Sequence, residues 1–321
     1  MRVVLILNPT SGESPISTTQ ETAGEHEEAI LAGLRRYGIE PEVRCTTLEE
    51  VGRGLAKQAA AEHAEVVIAA GGDGTIHEVA KGLIGTQSTL GIIPIGTMNN
   101  LALSLNIPST IEAACAIIAK GETRTIDVGE INGHTFMEVA GIGLEAALFP
   151  LAEEIKRPGL LSAVRAFIDG LNILLTYKPT KFNLTFDEAK PRSYEALQVT
   201  VCNAPYYGAH LSVASHILMD DGLLDVIIYK NFSKLEYIRH AISISQGRRE
   251  FQPKITHRRV KSLRINADHP VEIQADGLSH GHTPAMITIV PGALRVRVPG
   301  IAAPGIHNGE SPVEKDMELQ M

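Results

Sequence analysis

Residues 1 to about 128 alternate short apolar runs with longer segments in which apolar residues recur every third or fourth position. Short β-branched runs are typical of buried parallel strands, and the 3.6-residue period is typical of amphipathic helices. The predicted strands are 3–7, 42–45, 66–70 and 90–95, and the predicted helices lie around 25–37, 48–61, 76–83 and 111–120. This alternation predicts an α/β domain with a parallel sheet between two layers of helices.

Beyond Ile126 the pattern changes to a strict alternation of apolar and polar residues, as in 182–186, 263–265, 271–273 and 294–298. A period of two is typical of half-buried antiparallel strands, so the second domain is predicted to be β-rich.

Two helical segments interrupt the predicted strands of the second domain. Segment 145–177 is so apolar that it either covers a hydrophobic ligand site or forms a helix pair packed on the sheet. Ser233 and Glu236 have capping-box spacing and predict a scaffold helix that ends near Gln246.

The pentapeptide Gly71-Gly72-Asp73-Gly74-Thr75 lies between a predicted strand and a predicted helix. Its glycines can adopt positive φ and expose backbone N–H groups, while the helix beyond offers its electropositive N-terminus, so phosphate is the natural ligand. The alternative is a plain tight turn in which Asp73 caps the helix.

Two further turns of small polar residues end neighbouring strands, at 96–100 (GTMNN) and 8–12 (NPTSG). The carboxyl ends of parallel strands form one edge of a sheet, where ligands bind in open α/β folds. Three such turns together predict a nucleotide-binding cleft.

Length and composition narrow the function further. A chain of 321 residues is long enough for two domains, and a net charge of −8 with 4% aromatic residues and no Trp argues against nucleic-acid binding. Three widely spaced cysteines and no long apolar stretch predict a cytoplasmic protein without a zinc site. One basic cluster either contacts phospholipid headgroups or is a solvated face (Arg239, Arg248, Arg249, Lys254, His257, Arg258, Arg259 and Lys261).

The chain resembles the diacylglycerol kinase catalytic family, which includes bacterial lipid kinases and sphingosine and ceramide kinases. The matching segments are NPTSG (8–12), GGDGTIHEVAKGL (71–83), PIGTMNNLA (94–102), NAPYYGAH (203–210), MDDGLLDV (219–226), ADG (275–277), TP (283–284) and PGALRVRVP (291–299). The resemblance implies a three-layer α/β domain similar to that of NAD kinases, followed by a β-sandwich. It also implies an ATP-binding domain at 1–128, completed by a returning strand at 292–299, and a lipid-substrate domain at 129–291. The tail at 301–321 is rich in Pro, Gly and Glu, and this composition predicts that it is disordered.

Residue by residue, the resemblance implies that ATP phosphates contact the three turns, through Asn8, Ser11, Gly71, Gly72, Gly74, Thr75, Gly96, Thr97 and Asn99. Thr46 or Thr47 is expected near the nucleoside. Asp276 matches the aspartate proposed as general base in bacterial members, and Asp73 is the competing base or holds Mg²⁺ through water. Phosphoryl transfer needs positioning, charge neutralisation and one such carboxylate.

The segment that contains Asp220, Asp221 and Asp225 matches one that binds a structural Mg²⁺ in bacterial relatives. Carboxylates around a glycine turn suit a hard cation, although an Asp-Gly β-turn ahead of a strand at 223–229 gives the same sequence.

Two departures from the family pattern each remove a carboxylate near the expected magnesium site. Asn100 stands where many members have Asp, and Leu278 stands where many have Glu. The sequence therefore predicts a Mg²⁺- and ATP-dependent kinase of diacylglycerol or a related lipid, peripherally in contact with a membrane. An NAD kinase and a catalytically silent lipid- or nucleotide-binding protein are the alternatives. A homodimer is left open.

Overall fold

The computed structural model describes residues 1–11, 21–155, 160–207, 211–212, 217–230, 232–233, 235–236, 239 and 254–300. Its first domain contains four parallel strands, β1 (Val3–Leu7), β2 (Glu42–Cys45), β3 (Val66–Gly71) and β4 (Thr89–Pro94). They pair in the order β2-β1-β3-β4. The helices are α1 (Glu21–Arg35), α2 (Arg53–Ala61), α3 (Asp73–Leu83), α4 (Asn100–Ser104) and α5 (Ile111–Lys120).

The helices cover the parallel sheet in two pairs, α1 with α5 and α2 with α3. Helix α3 illustrates why the sequence folds this way. Ile76, Val79, Ala80 and Leu83, which share one helical face, are all at most 1% exposed. The strands β1 and β3 are buried along their whole length, as apolar central strands should be. The predicted α/β domain is confirmed.

Helix α2 begins at Arg53, so the prediction of a helix from residue 48 is wrong for its first turn. Gly52 has φ of 117°, a left-handed conformation that stops helix propagation. Ahead of it, the Thr47 hydroxyl accepts the backbone N–H groups of Glu49 and Glu50 and closes a local turn. Leu48 is consequently fully exposed instead of packed on the sheet.

The second domain is a β-sandwich of mainly antiparallel strands. Its strands are β5 (Glu122–Ile131), β6 (His134–Phe136), β7 (Val139–Gly143), β8 (Thr180–Phe186), β9 (Arg192–Cys202), β10 (Tyr206–Tyr207), β11 (Leu211–Ser212), β12 (Leu224–Lys230), β13 (Ile255–Val260), β14 (Ser262–Ala267), β15 (Glu272–Ala275), β16 (Leu278–His282) and β17 (Ala285–Val298). The four segments predicted from period-two alternation lie within or overlap β8, β14, β15 and β17.

Strand β17 joins the two domains. Its first half pairs with β14 and β5 of the sandwich, and its last residues pair in parallel with β4, with Arg295 opposite Thr89. Leu294 and Val296 are buried in the core of the first domain. One hydrogen-bonded sheet therefore runs from the sandwich into the α/β domain.

Segment 145–177 forms two helices, α6 (Leu144–Ile155) and α7 (Leu160–Thr176), which pack on each other. Helix α6 also packs on β15, and a Cβ added at Gly277 would lie 2.8 Å from the ring of Phe149. The predicted break at 158–159 lies outside the described residues.

The predicted capping box at Ser233 is present. Its backbone N–H donates to the Glu236 carboxylate (2.8 Å), and the Glu236 N–H donates to the Ser233 hydroxyl (3.3 Å). Most of the predicted helix beyond it, and the tail from 301, lie outside the described residues.

Candidate active site

The turns after β1, β3 and β4 meet at one edge of the parallel sheet. The side-chain amide of Asn8 donates to the Thr75 hydroxyl (3.0 Å), and the backbone N–H of Gly72 points to the Ser11 hydroxyl (3.4 Å). The Asn8 N–H donates to the carbonyl of Ala70 (3.0 Å), which fixes the first turn beside the second. Three hydrogen bonds thus hold the first turn against the second, although the two are more than 60 residues apart in the sequence.

Glycine is required where the second and third turns touch. A Cβ at Gly96 would lie 2.5 Å from the Cα of Gly72. Within the second turn itself, a Cβ at Gly71 would lie 2.6 Å from the Cβ of Thr75. A side chain at either position would force the backbone apart. Gly74 and Thr97, by contrast, are exposed, so their backbone groups are open to a ligand.

Asp73, the first residue of α3, joins the second turn to the third. Its two carboxylate oxygens accept the backbone N–H groups of Asn99 (2.8 Å) and Asn100 (2.7 Å). Asn99 has φ of 52°, and its amide bonds both the N–H and the carbonyl of Gly96, which closes the third turn. Each oxygen of Asp73 accepts one of these bonds and has a second lone pair.

Of the two candidate threonines near the nucleoside, Thr46 has the more suitable position. Its backbone N–H donates to the carbonyl of Leu7 (2.9 Å), so it lies beside the end of β1. The hydroxyl of Thr47 is engaged within its own turn.

Asp276 lies in the tight turn between β15 and β16, with φ of 43°. Its carboxylate accepts three backbone N–H groups, from Met137 (2.6 Å) at Oδ2 and from Glu138 (2.9 Å) and Val139 (3.1 Å) at Oδ1. The Asp276 N–H donates in return to the carbonyl of Val139 (2.9 Å). The carboxylate is thereby fixed on the sandwich side of the site.

Asn203 fixes the segment that binds Asp276. Its side-chain amide, which is fully buried, donates to the carbonyls of Met137 (2.9 Å) and Asp127 (3.0 Å). Asn203 is the first residue of the NAPYYGAH segment. In the structure this residue holds in place the backbone that binds Asp276.

A buried pair connects the two halves of the site. His77 Nε2 of α3 lies 2.9 Å from Glu138 Oε1, and the two residues are 6% and 4% exposed. Together with Asp73 they form a cluster whose potential ligand atoms all lie within 4.8 Å of one another. Burial lowers the pKa of His77, but the carboxylates of Glu138, Asp276 and Asp73 outweigh it and raise the pKa to about 9. Burial raises the pKa of Glu138.

Sequence reasoning gave His77 no role and did not consider Glu138. One signal was present: His77 follows Asp73 by four residues, which puts both side chains on one face of α3. Its partner is 61 residues away, beyond the reach of any local pattern.

Asp127 was also missed. It is 3% exposed, and its carboxylate accepts the N–H groups of Gly222 (2.7 Å) and Gly292 (2.8 Å). It therefore holds the turns of two matched segments, DDG and PGA, against β5. A charged residue inside the apolar run 126–131 was the available signal.

The three aspartates predicted to bind a structural metal are each paired with a basic side chain. Asp220 pairs with Arg124 (2.5 Å), Asp221 with Arg259, and Asp225 with His257 (2.5 Å). Asp221 also accepts the N–H of Leu223 (3.0 Å), as in an Asp-Gly turn. Each of the three carboxylates therefore already has a basic partner within the protein. Metal binding by these aspartates stays a prediction.

These pairs also account for part of the basic cluster. Arg259 and His257 lie on β13 and face acids of the 220–225 segment, and Lys254 pairs with Glu236 (2.5 Å). Three of its members are therefore engaged within the protein.

The two departures from the family pattern occupy different surroundings. Asn100 is 5% exposed and donates its backbone N–H to Asp73, whereas Leu278 is 52% exposed beside the Asp276 turn.

None of the helices in the described part of the chain combines the length and apolar character needed to cross a bilayer.

Both domains match known families. Residues 2–131 match the diacylglycerol kinase catalytic domain, and residues 138–298 match the YegS C-terminal NAD kinase β sandwich-like domain. A diacylglycerol kinase of Bacillus subtilis (strain 168) is 30% identical over 287 residues, covering 88% of this chain and 91% of that protein. A diacylglycerol kinase of Staphylococcus aureus (strain MRSA252) is 27% identical over 290 residues, covering 88% of each.

Solved structures share the fold. A crystal structure of a diacylglycerol kinase from Bacillus anthracis str. Sterne superimposes with a TM-score of 0.70 at 23% identity, covering 92% of this chain and 96% of that one. The matching catalytic-domain model and the curated relatives support a phosphotransferase of the lipid kinase class. The chain belongs to the diacylglycerol kinase family.

Proposed function

We propose that this protein transfers the γ-phosphoryl group of ATP to a hydroxyl of diacylglycerol or a closely related lipid, with Asp276 as general base. One observation carries the proposal. Asp276 is bound by the backbone of 137–139, and the side chain of Glu138 in that segment contacts His77, one helical turn after Asp73. A fixed carboxylate on the sandwich side therefore lies close to the glycine turn on the α/β side.

The three turns supply what a triphosphate requires. The exposed backbone of Gly74, in the first turn of α3, forms an anion-binding surface together with the electropositive N-terminus of that helix. The tight contact between Gly72 and Gly96 keeps the surface free of side chains. Thr46, at the end of β2, is suited to contact the nucleoside.

Asp276 has the hydrogen-bonding capacity that a base needs. A carboxylate oxygen has two lone pairs, and Oδ2 accepts one backbone N–H, so one lone pair is available for a proton. The acceptor hydroxyl gives its proton to Oδ2 while its oxygen forms a bond to the γ-phosphorus. The bond from that phosphorus to the bridging oxygen breaks, and ADP leaves.

Asp73 is the residue best suited to hold Mg²⁺. Both its oxygens have a lone pair beyond the bonds to Asn99 and Asn100, and it lies beside the anion-binding turns. Asp73 would hold Mg²⁺ there, and the ion would supply positive charge to neutralise the phosphates. Asp220, Asp221 and Asp225 fit a cation less well because each is already paired.

Peripheral membrane contact is part of the proposal, because the acceptor of such a kinase is a membrane lipid. Helix α7 exposes Val164 (47%), Ile168 (58%), Leu171 (43%) and Leu175 (56%) on one face, while Ala166 on the opposite face is buried. An exposed apolar stripe along one helix face is the feature by which a helix binds at a membrane interface. Helix α6, against which α7 packs, reaches the Asp276–Gly277 turn through Phe149.

Vesicle sedimentation tests the membrane contact. Replacing Ile168 and Leu175 with Ser should lower the bound fraction on diacylglycerol-containing vesicles, whereas Met286→Ser, at a similarly exposed position on β17, should not. Equal binding of all three proteins would remove α7 from the contact.

Phosphate transfer from labelled ATP with Mg²⁺ tests the main proposal. The acceptors are dispersed diacylglycerol, monoacylglycerol, ceramide, sphingosine and phosphatidylglycerol, with NAD as a further acceptor. Label on a glycerolipid supports the proposal. Label on NAD alone, or ATP binding without label on any acceptor, would overturn it.

A further inference from the structure

His77 and Glu138 form the buried side-chain contact between helix α3 and the segment ahead of β7. His77 comes from residues that match the catalytic domain model, and Glu138 is the first residue that matches the sandwich model. The atoms in contact, Nε2 and Oε1, lie 2.9 Å apart. Hence this pair connects the two domains at the candidate active site.

The backbone of Glu138 has a separate task. Its N–H, with those of its two neighbours, binds the carboxylate of Asp276, and its carbonyl accepts the N–H groups of Asn203 (2.8 Å) and Ala204 (3.1 Å). The side chain of Glu138 is thus anchored to α3 while its backbone holds Asp276. Any shift of the side chain would be passed to the carboxylate through a single residue.

Charge balance gives His77 a second role. Three carboxylates, those of Asp73, Glu138 and Asp276, act on this one imidazole. Burying like charges together is costly unless an opposite charge lies among them. A protonated His77 supplies that charge.

We propose that His77 and Glu138 are positioning residues for Asp276. The pair fixes segment 137–139, whose backbone N–H groups hold the Asp276 carboxylate in place for the acceptor hydroxyl. The inference rests on the proposed function, because it assumes that Asp276 is the base.

The test compares His77→Ala and Glu138→Ala, which both remove the contact, with Glu138→Gln, which can keep a hydrogen bond to His77. A positioning pair should affect kcat and KM differently. We expect kcat to fall in the two alanine variants and to recover to within about threefold of the parental value in Glu138→Gln.

Each alanine variant should lower kcat by roughly tenfold or more, because a base that is out of place by about 1 Å costs up to a hundredfold. The KM for ATP should change by less than about threefold, since the phosphate-binding turns are untouched. His282→Gln, an exposed histidine on the neighbouring β16, is the matched control and should leave kcat unchanged. If a single variant fails to fold, the double variant His77→Ala/Glu138→Ala replaces it, because it leaves no unpaired buried charge and should show the same loss of kcat.

Three outcomes would overturn the inference. The first is a kcat within about threefold of the parental value in both alanine variants, or in the double variant if that must replace them. The second is a KM for ATP that rises by as much as kcat falls, which would indicate general loosening of the site. The third is a stoichiometric transition metal in the purified protein that is lost in His77→Ala, because an ion between the two side chains would replace their contact. Turnover retained in Asp276→Asn would instead overturn the base assignment, which is how the two failures are told apart.

Discussion

The carboxylate of Asp73 accepts the backbone N–H of Asn99 at 2.8 Å, so the first residue of α3 holds the turn that follows β4. Asp73 belongs to the most recognisable motif in the chain, yet its two oxygens are engaged by backbone groups of a different motif. The GGDGT and GTMNN turns are therefore one structural unit joined by a charged side chain.

Asp73→Asn should loosen that unit. An amide keeps one acceptor oxygen and turns a donor toward the other N–H, so one hydrogen bond to a charged group is lost, at a cost of about 1.5–3 kcal/mol. We expect ATP affinity to fall by roughly tenfold or more, measured by calorimetry. Asp268→Asn, at an exposed carboxylate distant in sequence from these turns, is the control and should bind ATP normally. Unchanged affinity in Asp73→Asn would mean that the turn holds its shape without this carboxylate.

Gly96→Ala should damage the nucleotide site by a different route. Its Cβ would lie 2.5 Å from the Cα of Gly72, and backbone cannot move aside as a flexible side chain can. We expect a lower melting temperature and loss of the stabilisation that ATP gives the parent protein. Gly24→Ala, where a Cβ meets nothing within 4 Å in helix α1, should instead raise stability slightly. A Gly96→Ala protein that ATP still stabilises fully would contradict the close approach of the two turns.

Much of this arrangement follows from the sequence, because its causes are local. The strands β1 and β3 are continuous apolar runs, α3 has an apolar stripe, and both give periodic signals. The glycine turns were identified for the same reason. The paired acids and bases were not, because the contacts of His77 with Glu138 and of Asp276 with 137–139 join residues 61 and about 138 positions apart.

The start of α2 shows a second limit. The apolar spacing from Leu48 onward fits a helix, but the side chain of Thr47 and the left-handed Gly52 offer the backbone a competing turn. Strand β13 was missed because its sequence is dominated by basic residues, whose partners Asp221 and Asp225 lie on a different segment. Tertiary pairing overrides local preference in both places.

Glu145 should make stability depend on pH. Burial raises its pKa to about 7, while the Thr200 hydroxyl and the Gln274 amide, which donate to it, lower the pKa by less. The folded state then binds a proton more tightly than the unfolded state. This contribution is favourable at low pH and is lost as pH rises from about 4.5 to about 7.

Glu145→Gln should therefore flatten that dependence, because a neutral amide does not titrate. The Gln198 side chain, which donates to Glu145 at 3.2 Å, can rotate to accept from the new amide. Urea unfolding at pH 5 and pH 8 would measure the difference between parent and variant. The unfolding free energy of the variant minus that of the parent should be larger at pH 8 than at pH 5. An equal difference at both pH values would contradict the raised pKa.

Asp127→Asn should destabilise the junction of the two domains. Asp127 accepts the N–H groups of Gly222 and Gly292 in a buried setting, and an amide would face one of them with a donor. We expect a loss of about 1–3 kcal/mol in unfolding free energy. Asp187→Asn is the matched comparison, because Asp187 also accepts two backbone N–H groups, but at an exposed turn. Its cost should be smaller, because both N–H groups bind Oδ1, which an amide keeps, and because the turn is exposed. Equal costs would contradict the view that both buried oxygens of Asp127 are needed.

The central claim is that Asp276 takes the proton from the lipid hydroxyl. Asp276→Asn keeps the size of the side chain but removes its basicity, and general-base catalysis typically contributes about 10²–10⁴-fold. The decisive measurement is the rate of labelled phosphate transfer to diacylglycerol by this variant, alongside its ATP affinity and melting temperature. The account predicts a loss of at least about a hundredfold in rate with ATP affinity within about threefold of the parent. A folded Asp276→Asn protein that transfers phosphate within about tenfold of the parental rate would contradict it.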